Sequence, residues 1–185
     1  VDIVLSTHLH VDHVGWNTTR DDTGQWRPTF PNARYLFTRP EVGFWTGPAG
    51  GSLLPRTGDY IADSVLPIFE AGLADVVEMD HRINPEIRLL PTPGHSPGHV
   101  CVEVGRRSDL LVIAGDILHT VLQCTYPQWS TRFCADAAAS RETRIRFLQT
   151  YADTDTRIAP AHFPSPGFGR IRSEGAAFRF VFDEG

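Results

Sequence analysis

Cysteine is scarce in this chain of 185 residues: Cys101, Cys124 and Cys134 are its three. They are too few and too irregularly spaced for a disulfide framework or a Cys-x-x-Cys zinc site, and are expected to be small buried residues with one thiol exposed. No apolar run reaches membrane-spanning length, so the chain is expected to be soluble, with no membrane partner; the compartment expected is the cytoplasm. A basic excess is missing too. Seventeen Lys and Arg stand against twenty-two Asp and Glu, for a formal charge of −5. With the arginines scattered, that leaves no electrostatic footprint for nucleic acid. Methionine occurs once, at Met79, and position 1 is a valine already inside an apolar run. The expectation is that an N-terminal part has been removed, and with it any signal peptide that would bear on the compartment.

What is present suits one core: 41% hydrophobic residues over this length predict a single domain spanning 1–185. Apolar runs alternate with helical spacing, the habit of an α/β protein. Strands are expected at residues 2–5, 34–38, 76–79, 87–90, 100–104 and 110–113, and a closing hairpin at 170–175 and 178–182. The stretch from Gly15 to Pro31, rich in turn residues, reads as a loop. Residues 40–45 read as a short helix begun by Pro40, and 47–58 as an irregular connection or flap. Residues 59–71 have helical spacing that Pro67 kinks or divides. The strongest helix is 136–151, with Ala138, Ile145, Leu148 and Ala152 near one face and Arg141, Arg144 and Arg146 on a solvated one.

The densest chemistry is Thr7-His8-Leu9-His10-Val11-Asp12-His13, three imidazoles and a carboxylate directly after the run Ile3-Val4-Leu5. Imidazole and carboxylate are what zinc takes when its site is catalytic rather than a closed thiolate cage. The same arrangement of apolar run, small residues and candidate ligand recurs three times. His95 and His99 lie in Gly94-His95-Ser96-Pro97-Gly98-His99 after residues 87–90, Asp116 follows Gly115 after 110–114, and His162 follows 157–161. Singly, each has a plain alternative: His95 a turn residue beside Gly94, Asp116 an N-cap, His162 a buried imidazole. Together with the first motif they favour ligation.

In this order the motifs resemble the metallo-β-lactamase superfamily: His-x-His-x-Asp-His, a Gly-His loop, a Gly-Asp and a late His, from Thr7 to His162. The resemblance implies an αββα sandwich, with its first sheet incomplete because little precedes His8. It implies two divalent metal ions, zinc foremost, one held by His8, His10 and His95 and the other by Asp12, His13 and His162, with Asp116 bridging. It further implies a binuclear hydrolase in which a bridging hydroxide attacks the substrate, with Asp12 or Asp116 shuttling the proton.

Val14-Gly15-Trp16-Asn17-Thr18 and Ala161-His162-Phe163-Pro164 are similar to the branch that holds lactonases and methyl parathion hydrolase. The partner expected is thus a small-molecule lactone, ester or phosphotriester. Scattered arginines count against a ribonuclease of the same superfamily. Trp16, Phe44, Trp45, Trp129, Phe163 and Phe168 are candidates for an apolar pocket, against simple core packing. His119 stands where lactonases of this type carry a tyrosine that orients substrate. A histidine there can donate to the oxyanion, protonate the leaving group, or support a ligand. His99 reads as structural and His81 as a solvated turn residue. A homodimer through the aromatic loop near Trp45 is compatible with the sequence. Two other readings differ in metal stoichiometry: a sulfur dioxygenase with one iron, and a metal-binding fragment without activity.

Overall fold

Tyr35, Leu36, Phe37 and Thr38 are four successive buried residues, the mark of a strand covered on both faces. In the computed structural model, which describes residues 1–51, 58–106 and 109–184, they form the centre of a parallel sheet. The chain divides into two compact units, Val1–Glu78 and Met79–Gly185.

The first unit runs β1 (Ile3–Leu5), α1 (Val11–Val14), a 3-10 turn (Gly15–Asn17), β2 (Thr18–Arg20), β3 (Trp26–Pro28), β4 (Arg34–Thr38), α2 (Arg39–Trp45), α3 (Pro48–Gly51), α4 (Tyr60–Ser64), α5 (Leu66–Glu70) and β5 (Ala74–Val77). The parallel sheet is ordered β1-β4-β5. Its core gathers Leu9, Val14, Tyr35, Phe37, Trp45, Ile61, Val65 and Ile68. The expected loop at 15–31 is instead partly a hairpin, β2 against β3 with Thr19 opposite Arg27. Asp21 closes its turn by accepting from Thr23 and Gln25 backbone N–H groups at 2.9 and 3.0 Å. The expected division near Pro67 occurs at Val65 (φ −122°, ψ −53°), and Pro67 lies in the first turn of α5, where its missing N–H costs nothing. Of the expected irregular connection, residues 48–51 form α3; residues 52–57 lie outside the described residues.

The second unit runs β6 (Arg82–Asn84), β7 (Ile87–Pro91), β8 (Val100–Arg106), β9 (Asp109–Gly115), α6 (Leu122–Thr125), α7 (Ala137–Tyr151), β10 (Arg157–Pro160), β11 (Gly169–Glu174) and β12 (Ala177–Phe182). Its sheet is ordered β12-β11-β10-β9-β8-β7-β6. β9 and β10 pair in parallel, whereas β7-β8, β8-β9 and the closing hairpin β11-β12 are antiparallel. Strand β6, short and without an apolar pattern, is not legible in the sequence.

Helix α7 begins at Asp136, whose carboxylate accepts from Ala138 and Ala139 N–H at 3.0 Å, a cap typically stabilising by about 1 kcal/mol. Its buried stripe is Ser140, Thr143, Arg144, Phe147, Leu148 and Tyr151, rotated from the expected Ala138, Ile145, Leu148 and Ala152. Arg144 departs from the expected solvated arginine face, on which Arg141 and Arg146 are exposed as expected. It is fully buried and donates to the carbonyls of Ile117, Pro127 and Trp129 and to Ser140 Oγ at 2.8–2.9 Å. A guanidinium with four N–H donors matched to acceptors tolerates burial that an apolar pattern alone does not foresee. Among the described residues no helix is long and apolar enough to cross a membrane.

Candidate metal centre

In the first unit, β1 ends at Leu5 and the chain turns through the histidine motif before α1. Leu9 and Val14, 1% and 0% exposed, anchor the segment in the core from between and behind the imidazoles. His8 is fully buried; its Nδ1 lies 3.2 Å from Thr7 Oγ1 and its Nε2 3.0 Å from His10 Nδ1. The His13 ring is 4.1 Å from that of His8, centroid to centroid, and His13 Nε2 is 3.6 Å from Asp12 Oδ2. The four expected residues of this motif are thus gathered, with Asp12 the most exposed.

In the second unit, sheet topology brings together three ligand-bearing loops. β9 and β10 run parallel with Gly115 beside Pro160, so Asp116 and His162 emerge at the same end of the sheet. The 92–99 loop joins Pro91 to Val100, paired at that end too. Asp116 is 2% exposed and is met by three imidazoles: His95 Nε2 at 3.2 Å, His119 Nε2 at 3.1 Å and His162 Nε2 at 3.2 Å. His119 and His162 stack 5.4 Å apart with rings 5° from parallel. Asp116, His119 and His162 form one of the groupings able to hold a cation. His119 therefore stands at the carboxylate, and its Nδ1 is buried with no hydrogen-bond partner among the described residues.

The His95 loop is held against the start of α7. Ala135 N–H donates to His95 O at 2.9 Å and Asp136 N–H to Gly94 O at 3.0 Å. Gly94 sits at φ +129°, and a Cβ there would lie 2.2 Å from Ser140 N, so only glycine permits this approach. Burial works against the charged form of His95, but the hydrogen bond to Asp116 and the contact with Cys134 outweigh it and lift the imidazole to about 9. Cys134 Sγ lies 3.7 Å from His95 Nδ1. Burial alone would raise this thiol, yet His95, Ser140 and Thr131 hold it down at about 7.

His99 is fully buried and accepts a hydrogen bond from the Asp116 backbone N–H, in keeping with the structural role read for it. Gln123 accepts from His119 N–H at 2.7 Å and donates to Trp129 O at 2.9 Å, fixing the backbone of His119; a lone glutamine gives no sequence signal for that.

The aromatic candidates do not act as one group. Trp45 is 5% exposed in the first unit's core and Phe163 is 8% exposed, the latter packed on Phe180 at 4.8 Å. Phe44 is half-buried, and Trp16, Trp129 and Phe168 are exposed. His81 is half-buried, and its carbonyl accepts from Leu89 N–H at 2.8 Å. Cys101 and Cys124 are buried, as expected, and Cys134 is half-buried rather than exposed.

The metallo-beta-lactamase superfamily model matches residues 1–162, and the chain belongs to that superfamily. Among curated proteins it is similar to an N-acyl homoserine lactonase of Bacillus cereus, 27% identical over 118 residues, covering 63% of this chain and 38% of that protein. It is also similar to an N-acyl homoserine lactonase of Bacillus thuringiensis, 31% identical over 96 residues, covering 52% and 30% respectively. Among solved structures, hydrolase AbOPH superposes with a TM-score of 0.85 at 26% identity. AidC, a dizinc quorum-quenching lactonase, does so with 0.82 at 21% identity and shows the fold. Each alignment covers 100% of this chain and 65% of the solved one. The chain thus spans roughly a third of the length of these curated relatives and two thirds of these solved neighbours.

Proposed function

We propose that this chain is a metal-dependent hydrolase of small neutral lactones, with esters and phosphotriesters as further substrates, acting as one metallo-β-lactamase-like domain over residues 1–185 with two divalent ions, zinc foremost. His8, His10 and His95 hold one ion, Asp12, His13 and His162 the other, and Asp116 is shared. The observation that carries this reading is Asp116: a carboxylate 2% exposed with three imidazole Nε2 atoms at 3.1–3.2 Å. The donor set is nitrogen and carboxylate oxygen with no thiolate, which suits a catalytic rather than a structural zinc site. The lactone class is supported by the names of the Bacillus relatives.

Bound there, the ions lower the pKa of water toward about 7 and polarise the bond under attack. The remaining work belongs to the protein. The carboxylates of Asp12 and Asp116 offset the positive charge of the ions, and Asp12, the more exposed, takes up the proton released from water. His119, paired with Asp116 at 3.1 Å, holds the proton that the departing alkoxide needs.

The test is hydrolysis by the zinc-loaded chain of a panel of acyl lactones, aryl esters and aryl phosphotriesters, beside Asp116→Asn. Turnover of lactones that falls to background in Asp116→Asn, with circular dichroism unchanged, is expected. Lactone turnover equal in both proteins, or none in the zinc-loaded wild type, contradicts the proposal.

A further inference from the structure

The first unit also holds a carboxylate that the proposed chemistry does not use. Glu41 on α2 is 1% exposed. Its Oε2 accepts two hydrogen bonds of 2.9 Å, one from the backbone N–H of Leu9 and one from the indole Nε1–H of Trp45. Leu9 is the residue between His8 and His10. The Trp45 ring meets His10 edge-to-face, centroids 5.3 Å apart. A single oxygen atom therefore ties the peptide between two histidines to the side chain that packs on the second.

Taking a carboxylate out of water costs several kcal/mol before its hydrogen bonds are counted, and an apolar side chain of similar size fills a core at less cost. The residue type at 41 thus calls for a reason beyond packing. Its neighbours supply one: His8 Nε2 and His10 Nδ1 approach to 3.0 Å, a spacing suited to two nitrogens that share a cation and sensitive to rotation of the intervening peptide. Fixing the Leu9 N–H removes that rotation, and fixing the indole removes the freedom of the His10 ring.

We propose that Glu41 is a positioning residue for the His8-Leu9-His10 segment, acting through the Leu9 N–H and the Trp45 indole to hold both imidazoles in their cation-binding arrangement. This rests on the metal-site reading above.

The test is titration of the full chain with Co(II), followed by d–d absorption, for wild type, Glu41→Ala, Glu41→Gln and Trp45→Phe, with the melting temperature recorded for each. Glu41→Ala is expected to weaken Co(II) binding by roughly 10- to 100-fold and to shift the absorption band. Glu41→Gln, whose amide oxygen still accepts both hydrogen bonds, is expected to recover affinity to within a few-fold and to restore the band. A role in stability alone lowers the melting temperature and leaves the spectrum of bound Co(II) as in wild type. Glu41→Ala with wild-type affinity and spectrum overturns the assignment and leaves the metal site standing. If Glu41→Ala does not fold, Trp45→Phe decides, since it removes one donor and keeps an aromatic ring: a weakened, shifted Co(II) complex supports the tie, and an unchanged one overturns it. Wild type that binds no Co(II) overturns the metal-site reading and this assignment with it.

Discussion

His99 Nε2 accepts a hydrogen bond from the backbone N–H of Asp116 at 3.0 Å. Accepting there requires the proton on Nδ1, which faces Thr92 Oγ1 at 2.8 Å and the Thr92 carbonyl at 3.2 Å. The first and last residues of the loop that carries His95 are thereby locked to the loop that carries Asp116. The pair Gly-His…Gly-His therefore divides its labour: His95 meets the Asp116 carboxylate, and His99 holds the Asp116 backbone.

His99→Ala leaves a buried N–H without its acceptor and is expected to destabilise the protein by about 1–3 kcal/mol. Metal affinity falls with it, because the carboxylate loses its anchor. Urea unfolding and Co(II) titration check this; a variant with wild-type stability contradicts it.

Arg144→Met removes the donor to three carbonyls and a hydroxyl and is expected to cost about 3 kcal/mol or more. Arg144→Lys recovers little, since one ammonium cannot span four acceptors set around a planar fork. Chemical denaturation of both variants is the measurement, and full recovery by lysine counts against the argument.

Thiol reactivity follows burial. Cys101 and Cys124 are 0% exposed, and burial raises each thiol to about 12. Under native conditions DTNB is expected to titrate one thiol, which Cys134→Ser abolishes, with the other two appearing on denaturation. Fast reaction of two or three native thiols contradicts the core packing.

Asp21 is held well below the ordinary carboxylate range by the Thr23 hydroxyl, Arg27 and the Gln25 N–H. A depressed folded-state value stabilises above the unfolded-state value and loses that contribution as pH falls below it. The stability difference between wild type and Asp21→Asn is expected to be constant from pH 7 to about 5 and to shrink below about 4. Urea midpoints over that range test the sign: a difference that grows on acidification contradicts it.

The histidine motif was legible because its residues lie within a few consecutive positions, His8 to His13, and need no long-range partner to be recognised. Strands β4 and β9 were legible because their apolar runs are continuous, and β8 because Glu103 alone interrupts its run of valines and cysteine. The hairpin β2–β3 was not: Thr18, Thr19, Arg20, Trp26, Arg27 and Pro28 alternate no apolar face, and the order comes from the side chain of Asp21. The buried face of α7 is not legible because Arg144 finds acceptors at Ile117, Pro127 and Trp129, brought to it only by the fold. Glu41 carries no signal in the sequence; what sets it apart is Leu9, 32 positions away.

The measurement that bears most directly on the proposed binuclear centre is metal content per chain, by elemental analysis of protein purified without chelator, for wild type and Asp116→Asn. The account predicts close to two zinc-like divalent ions in wild type and a marked loss in Asp116→Asn. A single tightly held iron, or a folded wild-type chain with no metal, contradicts it.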